Sequence, residues 1–378
     1  MSDRVPATGT VHWAGTGRST GSGLDVLAGT AARVTVWART AEKAQRRLAA
    51  SGLTGRATAG ALAGLAAAVQ PGDVVVSMLP ASEHATLLRL CLDRGAHFAC
   101  TSYTSDELAA ADEPARRAGL VVLTEAGLDP GIDHVLAHDL VARARKAIGD
   151  GPATVAFTSY CGGVPAVPND FRYRFSWAPR GVLSALCSPA RVIEHGRVRE
   201  VARPWEATTR HVLDGEPFEV YPNRDSLPFV SRYDLPVAWR PETFVRGTLR
   251  LAGWRRAWAD VFAVLRHGDP AAVDALAADL AARYPMRPGD ADRVLLAVEL
   301  DVTAAGARWR GRYLLDVVGD DRESAMARTV SLPLAYAVGE VLAGTAPAGL
   351  HRALPDPSGA EAFLTFLRGR GVDCVLRS

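Results

Sequence analysis

Long apolar runs are the first thing missing from this chain of 378 residues. No stretch approaches the roughly eighteen consecutive apolar residues that cross a bilayer, and no basic, apolar leader opens it. Membrane insertion and secretion are therefore not expected, and the cytoplasm is the default compartment. Cysteine is scarce. Cys91, Cys100, Cys161, Cys187 and Cys374 are odd in number and widely spaced, and no Cys-x-x-Cys pair occurs, which argues against a disulfide framework or a zinc knuckle. An excess of one charge is missing too. A formal net charge of +2 predicts neither nucleic-acid nor membrane-surface binding, so any basic site must be local. His134 and His138 have a spacing that can hold zinc, but no third ligand accompanies them and no metal is expected. What remains is a globular balance, 48% hydrophobic and 22% charged, at a length that suggests two to three domains.

The first third alternates strands and helices. Thr10–Ala14 reads as a short strand, followed by Gly15-Thr16-Gly17-Arg18-Ser19-Thr20-Gly21 and a helical pattern through Leu24, Val26 and Leu27. A glycine pair between strand and helix lets the backbone approach a pyrophosphate, which then sits on the helix N–H groups. The third small position holds Thr20, larger than the usual Gly or Ala, so the loop alone is equally compatible with a plain turn. The next strand, Arg33–Ala38, ends in Arg39-Thr40. An NAD site would place an acid there for the ribose 2′-hydroxyl. The acid is missing, and the cation in its place suits the 2′-phosphate of NADP, with a solvated arginine as the alternative. Residues 73–80 form a largely continuous apolar run, as a parallel strand buried on both faces requires. Residues 97–101 and Val121–Thr124 extend the series. Five strand–helix units predict a doubly wound sheet, with ligands beyond the carboxyl ends of its strands, where Ser77, Ser102, Tyr103 and Glu125 fall.

Further along, Leu128-Asp129-Pro130-Gly131-Ile132-Asp133-His134 packs charge, glycine and proline into a strand-to-helix junction, and Thr158-Ser159-Tyr160-Cys161-Gly162-Gly163 adds a thiol. Polar chemistry that dense usually lines a ligand cleft. Before these come Ser77-Met78-Leu79-Pro80, Ser102-Tyr103 and Glu125-Ala126-Gly127. After them come Tyr173-Arg174-Phe175-Ser176-Trp177, Tyr221-Pro222-Asn223-Arg224-Asp225-Ser226 and Arg246-Gly247-Thr248-Leu249-Arg250. With these motifs in this order, the chain resembles the saccharopine reductase family, the NADP-dependent, glutamate-forming saccharopine dehydrogenases.

That resemblance implies an α/β fold. A doubly wound Rossmann-type NADP-binding domain over 1–130 would be completed by a returning helix within about 326–350. A mixed α/β substrate and dimerisation domain would occupy 131–325, with a small helical insert at about 257–290, shorter than is usual in the family. It should contain strands at 153–159 and 173–177 and a hairpin made of 294–302 and 308–318. Residues 351–378, including a helix at 360–367 and a strand at 374–376, are expected on the substrate domain. A homodimer is expected.

The resemblance also implies a reaction: glutamate's amine condenses with the aldehyde of 2-aminoadipate semialdehyde, and NADPH reduces the imine. Gly15, Thr16, Gly17 and Arg18 resemble the pyrophosphate loop, Arg39 and Thr40 the 2′-phosphate pocket, and Ser77, Met78 and Leu79 the strand edge under the cofactor. Leu128, Asp129, Pro130 and Ser176 resemble positions near the nicotinamide. Substrate contacts are implied at Ser102, Tyr103, Asp129, Cys161, Arg224, Thr248, Leu249 and Arg250.

The chemistry suits these residue types. A tricarboxylate product calls for planar cationic forks, which Arg224 and Arg250 would supply. Asp129 is the candidate catalytic acid–base residue, or a partner for the substrate amine, although a carboxylate donates at neutral pH only with a raised pKa. Its alternative is to cap the helix that follows, a task open equally to Asp133. Cys161 is read as lining the pocket, since no base stands beside it and the chemistry needs no nucleophile. The coenzyme and a multiply anionic amino acid, the only small-molecule partner expected besides it, would meet between the two lobes. A reductase of another amino-acid- or polyamine-derived imine, and a non-catalytic NADP-binding sensor, stay open as alternatives.

Overall fold

The apolar runs of the first third become the centre of a parallel sheet. The computed structural model describes residues 4–175, 179–287, 289–354 and 359–377. It divides into one unit of Met1–Val135 with Ala327–Arg370 and a second of Leu136–Met326 with Gly371–Ser378.

Among the described residues of the first unit, the strands are β1 (Thr10–Ala14), β2 (Arg33–Ala38), β3 (Thr58–Ala61), β4 (Val74–Ser77), β5 (His97–Cys100), β6 (Val121–Thr124) and, late in the chain, β15 (Gly349–Arg352). They run in the order β15-β6-β5-β4-β1-β2-β3, every pairing parallel. β4, β5 and β6 are buried at every position. Apolar clusters flank the sheet, one built on Trp13, Leu24, Leu27 and Val338, the other on Leu65, Leu87, Leu88 and Phe98. Strands so enclosed need no polar face, which is why they read as continuous runs. β3 and β15 lie at the sheet's edges and were not expected.

The returning helix, Ala325–Leu342, packs against the helix Ser22–Thr30. Gly23 N donates to Ser331 Oγ at 3.0 Å, and a Cβ at Gly23 would overlap the Ser331 carbonyl. Close helix packing is thus met by Gly23, not by the bulkier Thr20. The helix Ala360–Arg368, expected on the substrate domain, belongs to the first unit instead. Tyr336 meets Phe363 and Phe366 edge-on at 5.3 and 5.1 Å, so its apolar stripe follows the returning helix.

In the second unit the described strands are β7 (Ala153–Pro165), β8 (Ala190–Glu194), β9 (Arg197–Val201), β10 (Thr209–Leu213), β11 (Glu216–Pro222), β12 (Trp239–Leu251), β13 (Asp292–Ala304), β14 (Ala307–Val318) and β16 (Cys374–Arg377). The path is β10-β11-β12-β7-β13-β14-β16, with the β8–β9 hairpin attached to β12. β12 and β7 are parallel and the other pairings antiparallel. The expected hairpin is β13–β14, in register from Arg293↔Val318 to Ala304↔Ala307.

Helices Trp254–Ala257, Ala259–His267 and Pro270–Arg283 form the insert. They close over an aromatic cluster that includes Phe171, Tyr173, Phe175, Trp254, Trp258 and Phe262. Each indole removes about 150–250 Å² from water, worth roughly 4–6 kcal/mol at 25 cal/mol per Å². That packing also overrides the strand expected nearby. The strand expected at 173–177 is not formed over its described part: Phe175 makes one bridge, to Pro285, and Tyr173 stands edge-on to Phe175 and Trp258 at 5.1 and 5.4 Å. Ring contacts, not a ladder, fix this segment. Ser176 lies outside the described residues.

Candidate functional site

The turn after β1 is shaped by close backbone approach. Gly15 has φ +123°, and a Cβ there would lie 2.6 Å from the Met78 carbonyl oxygen beyond β4. Its N–H donates to Trp37 O at 2.8 Å. Thr20 is buried, and its hydroxyl reaches Gly15 O at 3.4 Å, so the larger residue closes the loop from within. Arg47 donates to the Thr20 carbonyl. Nothing lies within 4 Å of a Cβ built on Gly17, and Arg18 is exposed. Gly21 begins the helix Ser22–Thr30 without a side-chain cap. At the end of β2, Arg39 is exposed, while Thr40 caps the helix Ala41–Ala50, accepting from Lys43 N at 3.3 Å. Met78 and Leu79 are half-buried at the end of β4.

The 125–134 segment is braced by its acids. Of the two aspartates weighed for the cap, Asp133 takes the role, with Gly131 N donating to its Oδ1 at 2.7 Å. Asp129, which precedes a cis peptide to Pro130, receives the Tyr103 hydroxyl on its Oδ1 at 2.6 Å. Glu125 sits at φ +56° and is buried. Its Oε1 accepts from Thr104 N at 3.0 Å and Thr104 Oγ1 at 2.6 Å, and its Oε2 meets His134 Nε2 at 2.9 Å. Burial pushes this carboxyl up, but the bond and charge of His134 and the two bonds from Thr104 outweigh it and bring the group down to about 2. Glu125 thereby grips the residue after Tyr103 and the helix after Asp129, holding the two sides of the Tyr103–Asp129 pair. His134 is engaged here and His138 Nδ1 faces Asp234 Oδ2 at 3.2 Å, and among the described residues no group of three metal-ligating side chains forms.

One residue of this region carries no sequence motif. His84, in the first turn of the helix His84–Arg94, lies 2.9 Å from Ser77 Oγ through Nδ1 and 2.8 Å from Ser102 Oγ through Nε2. Burial lowers its pKa to about 4, so the imidazole is neutral at physiological pH. Ser77 is fully enclosed, so any cofactor contact from it falls to its backbone.

In the second unit, alternation along β12 decides which side chains keep company. Arg246, Thr248 and Arg250 share one face, while Leu249 points to the other and is fully buried with Phe218, Val220 and Leu295. The expected grouping of Leu249 with Thr248 and Arg250 therefore does not form through its side chain. Cys161 on β7 pairs with Thr248 in register. Arg250 is 8% exposed, with its guanidinium 5.0 Å from the Tyr173 ring and 5.7 Å from those of Tyr221 and Trp254. Its Nη1 donates to Leu249 O at 3.2 Å, and Nε has no hydrogen-bond partner. Glu219, opposite it on β11, instead accepts from Gly253 N and Arg255 N at 3.0 and 2.7 Å. Among the described residues no carboxylate forms an ion pair with Arg250. Arg224 is exposed, beyond the far end of the β11–β12 ladder, with φ +60°. The two arginines are not brought together. Arg246, which opens the motif ending in Arg250 without an expected site role, is buried between those ends with its guanidinium 4.0 Å from the Phe229 ring.

Residues 11–123 match the family model described as the saccharopine dehydrogenase NADP binding domain, and residues 127–372 match the saccharopine dehydrogenase C-terminal domain. The saccharopine dehydrogenase (NADP(+), L-glutamate-forming) of Pyricularia oryzae is 38% identical over 259 residues, 66% of this chain and 56% of that protein. That of Schizosaccharomyces pombe is 38% identical over 203 residues, 51% of this chain and 43% of that one. The chain thus spans about half the length of the curated relatives it matches. The apo structure of saccharopine dehydrogenase (L-Glu forming) from Saccharomyces cerevisiae matches with a TM-score of 0.82 at 25% identity, covering 97% of this chain and 99% of that one. Homospermidine synthase from Legionella pneumophila, at 11% identity and TM-score 0.63 over 100% of this chain and 91% of that one, shares the fold alone.

Proposed function

Because the chain belongs to the saccharopine dehydrogenase family, we propose that it is an NADP-dependent oxidoreductase of CH–NH bonds that interconverts saccharopine with glutamate and 2-aminoadipate semialdehyde. Arg250 is the observation that carries the substrate class. A guanidinium held out of water without a counter-ion costs several kcal/mol, and a ligand carboxylate, paired bidentately, is what balances it. A polyamine substrate would need the opposite, an acidic wall.

The first unit fits NADP. The Gly15 turn leaves no room for a Cβ, Gly17 lies open, and Arg39 stands where an NAD site carries an acid. Gly15, Thr16, Gly17 and Arg18 would hold the pyrophosphate, Arg39 and Thr40 the 2′-phosphate, and Met78 and Leu79 the strand edge, with Leu128 and Pro130 nearer the nicotinamide. Bound there, the coenzyme supplies the hydride. The protein's task is to move protons and hold the amino acids. Attack on the aldehyde requires one proton to leave the glutamate ammonium, and dehydrating the carbinolamine to an iminium ion, the form that accepts hydride, requires one to reach the departing hydroxyl. Asp129 accepts the first and Tyr103 delivers the second. Their shared hydrogen bond of 2.6 Å then returns the proton from Asp129 to Tyr103 and resets the pair. Substrate contacts are proposed at Ser102 in the first unit and at Thr248, Cys161 and Arg224 in the second, where Thr248 and Cys161 are adjacent in register.

The proposal extends to a cytoplasmic homodimer acting in lysine metabolism. Sedimentation tests the oligomeric state. The activity is tested by following NADPH absorbance with glutamate plus the semialdehyde, beside other amine–aldehyde pairs. Turnover should need an amine that carries carboxylates. Faster turnover of a diamine would refute the assignment.

A further inference from the structure

Three groups in the first unit form a hydrogen-bonded chain, of which the proposed reaction uses only Ser102. Ser77 Oγ, His84 and Ser102 Oγ are linked by bonds of 2.9 and 2.8 Å. Ser77 is fully enclosed and His84 is 2% exposed, whereas Ser102, past the end of β5, is half-buried. The polarity of this chain follows from counting protons. A hydroxyl has one proton, and a neutral imidazole has one N–H and one acceptor nitrogen. Ser77 has His84 as its hydrogen-bond partner and no other among the described residues. If it accepted from His84, its own proton would be buried without an acceptor, a cost of about 1–3 kcal/mol. Ser77 therefore donates to Nδ1. The N–H of His84 is then on Nε2 and points at Ser102 Oγ. Ser102 accepts from behind, and its own proton is directed outward.

We propose that His84 is a positioning residue that fixes Ser102 as a hydrogen-bond donor toward a carboxylate oxygen of the substrate. The tautomer is set by an enclosed serine at the end of the neighbouring strand, so the outward-facing group is a donor before any ligand arrives. Such a group favours an anionic oxygen and disfavours an ammonium, a selectivity that adds to that of Arg250. The inference rests on the proposed function for the identity of the ligand but not for the polarity of the chain.

Two measurements test it on the full chain. The first is ¹⁵N NMR of histidine-labelled wild-type protein, with H84Q used to assign the resonance. It should show His84 protonated on Nε2 and unprotonated on Nδ1. The opposite tautomer, or an imidazolium at neutral pH, would overturn the proposal. The second is steady-state oxidation of saccharopine. H84N keeps a group near Nδ1 but cannot reach Ser102, while H84Q places an amide N–H near Nε2. H84N and S102A should each raise the KM for saccharopine about tenfold or more, as loss of a hydrogen bond to a charged group does, with the KM for NADP little changed. H84Q should recover most of the loss, and H84N/S102A should be no worse than S102A. Independent, multiplying losses in the double variant would refute the coupling. A wild-type protein inactive on saccharopine would overturn the proposed function, while the NMR result would still decide the tautomer, including in the event that H84N fails to fold.

Discussion

Replacing Arg250 with Met should separate binding from stability, with opposite demands on the two assays. In the free protein the guanidinium is buried among three rings, with one backbone hydrogen bond and no ion pair among the described residues. Cation–π contacts of about 0.5–2 kcal/mol each offset a desolvation cost of several kcal/mol. Methionine keeps most of the volume and makes favourable sulfur–ring contacts. The net change in unfolding free energy should therefore stay within about 1 kcal/mol in either direction, as the gains and losses nearly cancel. In the complex, truncating a buried partner of a carboxylate costs about 2–5 kcal/mol. At 1.4 kcal/mol per tenfold, kcat/KM for saccharopine should fall by roughly thirtyfold to several thousandfold. Urea melts and steady-state kinetics on the same preparation read both quantities. Saccharopine at a hundred times its Kd should also stabilise the wild type by about 2.7 kcal/mol, and R250M at that concentration far less. A variant that loses more than about 3 kcal/mol of stability while its kinetics stay intact would show Arg250 to be structural and remove the basis for the anionic substrate.

Arg39→Ala should weaken NADPH by about tenfold or more, as expected for a charge-assisted contact, while leaving NADH nearly untouched. Equal losses for both in a fluorescence titration would refute the 2′-phosphate role. Gly15→Ala should cost about 1–3 kcal/mol in a thermal melt and abolish NADP(H) binding, because φ +123° and the Met78 carbonyl both exclude a side chain. Unchanged melting and binding would show that the turn is slack. Acid should destabilise the protein in two stages. Burial holds His84 near 4, and burial with the charge of Arg4 holds His97 near 4, both below the ordinary 6.5. The unfolded chain takes up those protons first, so stability is full above about 6.5 and falls toward 4. Glu125, near 2 instead of 4.5, adds a loss between those values, because its stabilising contribution vanishes as it protonates. Circular-dichroism melts from pH 7 to 3 should show falling midpoints, and a flat profile would contradict these environments.

The sequence carries much of this fold in its periodicities. β4, β5 and β6 are legible because a strand covered on both faces must be apolar throughout, and the β13–β14 hairpin because one face alternates with the other. β3, Thr-Ala-Gly-Ala, and β15, Gly-Leu-His-Arg, carry no such signal, since they are made strands by the neighbours they pair with. The aromatic residues at 173–175 look like a strand in isolation, and only their partners in the insert decide otherwise. The site divides in the same way. The strand period that sets Leu249 apart from Thr248 and Arg250, and adds Arg246 to their face, is present in the sequence. His84 is not legible, because Ser77 and Ser102 come from the ends of two different strands and only the folded sheet brings both hydroxyls to one imidazole.

The central claim, that this chain reduces the imine C=N bond joining two amino acids, is tested most directly by following the hydride itself. The protein is incubated with glutamate, 2-aminoadipate semialdehyde and NADPH deuterated at its transferable position, and the product is read by mass spectrometry. A secondary amine of saccharopine's composition bearing one deuterium on the carbon that was the aldehyde is the predicted result. Consumption of the coenzyme without that product, or a product free of deuterium, would contradict the claim.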